Sequence, residues 1–224
     1  MAYDNYLAAG VHIGMKQQTK DMKKFVYKIR PDGNAVLNVS LIDERIKTAA
    51  KFLSKFQRIM VVSRKGIGQK PVKVFTSVTN TKPNVGRFLP GTITNPAFPG
   101  YFEPQAIITV DPQVDKQTVK EAVMMRVPII SLCDTFNETS NIDFVIPCNN
   151  KGRKSLGMVL YTLALELKKA RGEIKEDAEF PYKPEEWESE EEVYEERRDE
   201  GERRPRREGM DRGGQGRGRS RPRR

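Results

Sequence analysis

Ile59-Met60-Val61-Val62 is the stretch on which the fold turns. Four apolar residues follow one another with no polar break. That is how a strand buried on both faces reads, and such strands belong to parallel sheets covered by helices. The signature recurs at Ala106 to Val110, Val127 to Leu132 and Ile142 to Ile146. Helical periodicity falls between or after these runs, over about Gln69 to Val78, Gln117 to Arg126 and Ser155 to Ala170. In the last of these, Leu156, Val159, Leu160, Leu163, Ala164 and Leu167 make one stripe. Lys168, Lys169 and Arg171 suit the negative helix end, and Gly172 is a natural stop. Upstream, Ser40 reads as an N-cap for a helix over 41–56, with Ile42, Ile46, Ala49, Ala50 and Leu53 on one face and Lys47, Lys51 and Lys55 on another. Before it, Phe25 to Ile29 and Ala35 to Val39 flank the turn Arg30-Pro31-Asp32-Gly33 and predict a small N-terminal hairpin. The sum is an α/β fold: an open parallel sheet with right-handed crossovers. Two links fit badly. Leu132 to Ile142 is short for a helical crossover, and Thr79 to Gln105 is long for a loop; long ordered loops are usually functional.

Charge divides the chain. Residues 1–172 carry roughly +13, residues 173–202 roughly −11 and residues 203–224 roughly +8. The first block is expected to be the one folded α/β domain. The acidic second block, with Glu185-Glu186-Trp187-Glu188-Ser189-Glu190-Glu191-Glu192, and the Arg/Gly-rich basic third block are expected to form a disordered charged tail. Cys133 and Cys148 lie in apolar segments without metal-ligand spacing, so packed, reduced thiols and a cytosolic chain are expected. No run is apolar and long enough to span a bilayer, and the N-terminus lacks the regions of a signal peptide. A basic balance without a membrane element points to nucleic acid.

Catalytic readings fare poorly. Ser63-Arg64-Lys65-Gly66-Ile67-Gly68 follows a strand and precedes a helix, as a phosphate loop does, but it has neither dinucleotide nor P-loop spacing. Asp111-Pro112 stands where a metal carboxylate would, yet no second acid supports it, and a helix-capping role is expected. His12, the only histidine, sits in Gly10-Val11-His12-Ile13-Gly14 and reads as a packed, hydrogen-bonded residue. No Ser-His-Asp or Cys-His set can be assembled, so no catalytic residue, metal site or small-molecule substrate is assigned.

Basic residues cluster outside the helices. Lys16, Lys20, Lys23, Lys24, Lys28 and Arg30 bracket the first strand; Arg64, Lys65 and Lys70 follow a strand end; Lys151, Arg153 and Lys154 precede the last helix. Arg87 lies in the long loop. Together they predict a surface for an RNA backbone. Phe88, Phe98, Tyr101 and Phe102 either stack on RNA or cover the sheet. The arginines of 203–224 are expected to reach single-stranded RNA, messenger included.

Four stretches carry a resemblance: Ala8-Ala9-Gly10-Val11-His12-Ile13-Gly14; Gly86-Arg87-Phe88 with Pro90-Gly91-Thr92-Ile93-Thr94-Asn95; Pro104-Gln105-Ala106-Ile107-Ile108 through Asp111, Glu121 and Arg126-Val127-Pro128; and Pro147-Cys148-Asn149-Asn150-Lys151. In this order they resemble the small-subunit ribosomal protein S-two family. The resemblance implies a flavodoxin-like three-layer sheet with no cofactor and a structural, non-catalytic role. It implies binding to small-subunit ribosomal RNA on the solvent side near the head–body junction, beside neighbouring small-subunit ribosomal proteins. Bacterial members carry a long coiled-coil insertion, for which helix 41–56 leaves no room before Ile59. The chain therefore resembles the archaeal and eukaryotic branch, related to the laminin-receptor precursor, and its C-terminal tail departs from the family. On the residues alone two other readings stay open: a free-standing RNA-binding factor driven by the Arg/Gly tail, and a nucleotide-dependent enzyme on a doubly wound sheet.

Overall fold

Five apolar or edge segments pair into one parallel sheet, in a computed structural model that describes residues 2–174 and 181–189. Residues 175–180 and 190–224, and with them the Arg/Gly segment and most of the acidic block, lie outside the described residues. The elements run α1 (Ala2–Ala8), β1 (Val26–Ile29), β2 (Ala35–Leu37), α2 (Val39–Leu53), β3 (Ile59–Ser63), α3 (Gly66–Thr79) and β4 (Lys82–Val85). Then come β5 (Ala106–Thr109), α4 (Lys116–Met124), β6 (Ile129–Cys133), β7 (Phe144–Pro147) and α5 (Arg153–Ala170). The sheet order is β4-β3-β5-β6-β7. Counted by the sheet's own strands this is 2-1-3-4-5, the flavodoxin-like order, and it reverses between β3 and β5.

Alternation along the strands sets the layers. Ile59, Val61, Ala106, Ile108, Ile130 and Leu132 meet α2, α3 and α5 in the larger core. Met60, Val62, Ile107 and Ile129 turn to the other face, where Val119 and Ala122 of α4 meet Phe88 and Ile93 of the long loop. Each fully buried leucine or isoleucine contributes about 1.5–3 kcal/mol. The stripe of α5 (Leu156, Val159, Leu160, Leu163, Ala164, Leu167) is buried throughout, and the helix ends as expected, with Gly172 at φ +75°.

Three local expectations need correction. Asn38, not Ser40, caps α2: its side-chain oxygen accepts the Ser40 N–H at 3.0 Å. The long link hides a strand, because β4 is a polar edge strand, Lys82-Pro83-Asn84-Val85, with no apolar run to betray it; an edge strand is where proline is tolerated. β6 and β7 are joined by a loop with no helix, as the shortness of that link implied. Finally, the compact unit does not stop at Gly172 but reaches Ser189. A 3₁₀ turn at Pro184–Trp187 lies on α5 and sinks Trp187 completely, with its ring edge-on to Tyr161 at 5.8 Å. One tryptophan among glutamates carries no periodicity, so the sequence reads as tail while the indole is core.

The hairpin is tied to the sheet's carboxyl end. Gly14 N–H donates to Ala35 O at 2.8 Å, and Asn149 N–H to Val11 O at 3.0 Å. Arg45 lies over the rings of Phe25 and Phe144 and donates to Val145 O at 3.0 Å.

Candidate nucleic-acid interface

Parallel strands put all their carboxyl ends on one edge, so the segments that follow them converge whatever their distance in sequence. Arg64 and Lys65 follow β3, Arg87 follows β4, and Lys151, Arg153 and Lys154 follow β7. The N-terminal segment crosses the same edge. Met15 N–H donates to Thr135 Oγ1 at 2.9 Å, Thr19 N–H to Thr135 O at 2.9 Å and Thr19 Oγ1 to Asn137 O at 2.9 Å. Gly14 is required for this approach, since a Cβ there would stand 2.5 Å from the Thr135 methyl. Lys16 and Lys20 are thereby brought to the rim, with the Lys16 stem beside Gly33 of the hairpin turn. Lys151 lies 4.1 Å over the Phe136 ring and touches the Met15 sulfur.

Lys16, Lys20, Lys23, Lys24, Lys28, Arg30, Arg64, Arg87, Lys151 and Lys154 are exposed; Lys65, Lys70 and Arg153 are half-buried. Lys28 and Arg30 border a cleft of about 530 Å³ on the hairpin, with exposed Tyr27 and Ile29. Thus the rim gathers Lys16, Lys20, Arg64, Arg87, Lys151, Arg153 and Lys154, while Lys28 and Arg30 form a hairpin group.

Lys65 differs from the expectation. Its ammonium turns inward to an ion pair with Asp111, and it donates to Asn150 O and Oδ1 at 3.3 Å each. Asn137 Nδ2 donates to Asp111 Oδ1 at 3.0 Å, and Asn150 Nδ2 donates to Leu132 O at 3.1 Å and Asn137 Oδ1 at 3.0 Å. Asp111 is therefore an internal anion rather than the helix cap; Asp115 stands at the α4 N-cap. Lys65, Asp111, Asn137 and Asn150 fill the centre of the edge with one another. The sequence signal for this network is a polar residue soon after each buried strand, at Asp111, Asp134, Asn137 and Asn150.

The long loop is organised by another buried acid. Glu121 accepts the Gly91 N–H at 2.9 Å, the Gln117 side-chain N–H at 2.9 Å and the Ile93 N–H at 3.4 Å. Phe88 is buried on the sheet and Phe102 packs against the same cluster, so these two cover the sheet, while Phe98 and Tyr101 are half-buried within the loop. Arg87 stays exposed.

Burial shapes the titrations. Asp115 is pushed up to about 7, chiefly by burial and further by nearby Asp111. Asp134 is raised by burial. His12 is packed and held below the usual imidazole range by burial and by Arg30; its Nδ1 has no partner among the described residues. Cys133 and Cys148 are free and buried, and burial raises both thiols. Among the described residues no cluster of His, Cys, Asp or Glu is arranged to hold a metal ion.

Fold and rim together define a flavodoxin-like α/β protein whose strand-end edge is closed by its own polar side chains and ringed with cations. Comparison with known proteins narrows this. The family described as Ribosomal protein S2 matches residues 101–170. The chain is 48% identical over 181 residues to small ribosomal subunit protein uS2 of the archaeon Methanococcus maripaludis, covering 80% of this chain and 82% of the relative. It is 49% identical over 187 residues to the uS2 protein of the archaeon Staphylothermus marinus, covering 83% and 85%. The chain belongs to the ribosomal protein S2 family.

Proposed function

We infer that this protein is a structural constituent of the small ribosomal subunit, with small-subunit ribosomal RNA held against the basic rim of the sheet. The observation that carries the interface is the convergence of cations from four separate segments (16–20, 64, 87 and 151–154) onto one edge. Cations so gathered neutralise phosphates and displace their counterions. The edge where sheets of this order receive cofactors is occupied by Lys65, Asp111, Asn137 and Asn150, which supports a non-catalytic role. Neighbouring small-subunit proteins are further partners, and the exposed Tyr27 and Ile29 beside Lys28 and Arg30 suit one of them. The basic segment 203–224 reaches single-stranded RNA, messenger included, and the chain is cytoplasmic as part of the ribosome. Chemical footprinting of small-subunit ribosomal RNA with and without the protein tests the reading. Protection that moves when Arg64, Arg87 and Lys151 are replaced by glutamine supports it; protection unaffected by that change places the RNA elsewhere.

A further inference from the structure

The polar network closes the centre of the strand-end edge but not its flank. Where the sheet order reverses between β3 and β5, a cleft of about 280 Å³ remains, bordered by Arg64, Arg87, Phe88, Pro90, Asp115 and Gln117. Reversal points are where sheets of this class take ligands. Three features of this cleft specify one.

The first is an unsatisfied acceptor. Asp115 is only 3% exposed; one carboxylate oxygen accepts the Arg64 N–H at 3.0 Å, and the other is buried without a donor among the described residues. A buried acceptor left empty is costly, so the site favours a ligand that presents N–H groups. The second is charge. Arg64 and Arg87 are exposed at the mouth, and neither guanidinium has an acidic partner among the described residues. They repel a metal ion and attract phosphate. The third is shape. Phe88 and Pro90 give an apolar wall suited to a flat ring.

A donor edge, a flat ring and flanking phosphates together describe a nucleotide. The base must be unpaired, because pairing would occupy its donor edge. Guanine carries adjacent N1–H and N2–H donors on that edge, which a carboxylate accepts. The volume lies just below the usual range for ligand pockets, which limits the occupant to a single nucleoside or smaller. We propose that this cleft receives one unpaired guanine nucleotide of RNA, with its base edge on Asp115 and its flanking phosphates on Arg64 and Arg87. The proposal rests on the RNA reading of the rim and adds a base-specific contact to it.

The test is run at pH 8, where Asp115 is ionised, with the full-length protein and labelled single-stranded uridine heptamers with G, A, C or inosine at the centre, alongside all-U and free GMP. The G heptamer is expected to bind roughly tenfold tighter than the A, C and U heptamers. Inosine, which lacks the N2 amino group, is expected to lose part of that advantage. Asp115→Asn keeps an oxygen for the Arg64 N–H but brings an amide donor against the guanine donors, and should level the four natural bases. Arg64→Gln with Arg87→Gln should weaken all heptamers alike and flatten their salt dependence. Equal binding of every heptamer by the wild-type protein overturns the guanine pocket and leaves the RNA rim standing. Binding of GMP as tight as that of the G heptamer assigns the cleft to a free nucleotide and overturns its RNA role. Failure to bind any heptamer or ribosomal RNA fragment overturns pocket and rim together. Should Asp115→Asn fail to fold, the inosine comparison decides with the protein unaltered.

Discussion

Trp187→Ala is the perturbation that most sharply separates a tail from a core. The indole is completely buried against α5. Removing a buried aromatic costs about 3–5 kcal/mol, and its edge-on pairing with Tyr161 is worth about 0.5–1.5 kcal/mol within that range. The indole N–H has no acceptor among the described residues, and losing an unpaired donor offsets part of the cost. A loss of about 3 kcal/mol is expected. For a protein of this size that lowers Tm by roughly 6–12 °C. Gly157 is the other half of the contact, since a Cβ there would stand 3.0 Å from Trp187 O. Gly157→Ala gains about 1 kcal/mol of helix propensity but presses on the strap's backbone, so once Trp187→Ala has released the strap only the propensity gain should remain. The assay is urea unfolding followed by circular dichroism, completing the double-mutant cycle. Truncation after Ser189 should leave Tm unchanged, whereas truncation after Gly172, which removes Trp187, should lower it as the point variant does. A Trp187→Ala protein within about 1 kcal/mol of wild type would refute the claim that the strap is core.

Two more outcomes follow from the buried polar edge. Asp115 has a folded pKa of about 7 against an ordinary 3.8. The native state thus binds more protons than the unfolded chain between these values, and stability falls as pH rises from about 4 to about 7, by up to about 4 kcal/mol. Urea midpoints measured across that range should decline for wild type and decline less for Asp115→Asn, in which Asp134 and His12 still titrate; equal pH profiles for the two proteins would contradict the burial of this acid. Lys65→Met leaves Asp111 buried without its cation and should cost about 3–5 kcal/mol, while leaving the salt dependence of RNA binding unchanged. A flattened slope with intact stability would place Lys65 at the RNA after all.

The apolar runs at 59–62, 106–110, 127–132 and 142–146 declared a parallel sheet because strands buried on both faces have no polar alternation to hide. β4 was illegible because its edge position lets Lys82, Pro83 and Asn84 stand where a central strand would need apolar residues. Trp187 was illegible because a single large side chain can anchor a polar segment without any period. At the rim, composition identified the cations but not their direction. Arg64 and Lys65 are neighbours with the same charge; one faces solvent and the other is drawn to Asp111, a partner 46 positions further along the chain that only the sheet register brings close.

The central claim is that RNA lies along the strand-end rim. Its most direct test is the salt dependence of binding to small-subunit ribosomal RNA for wild type and for the variant Lys16→Gln, Arg64→Gln, Arg87→Gln, Lys151→Gln, Lys154→Gln. If these five cations meet phosphates, the log–log slope becomes shallower by about 3 to 5, with the folded state unchanged by circular dichroism. A folded variant that keeps the wild-type slope would contradict the claim and put the RNA on another face of the protein.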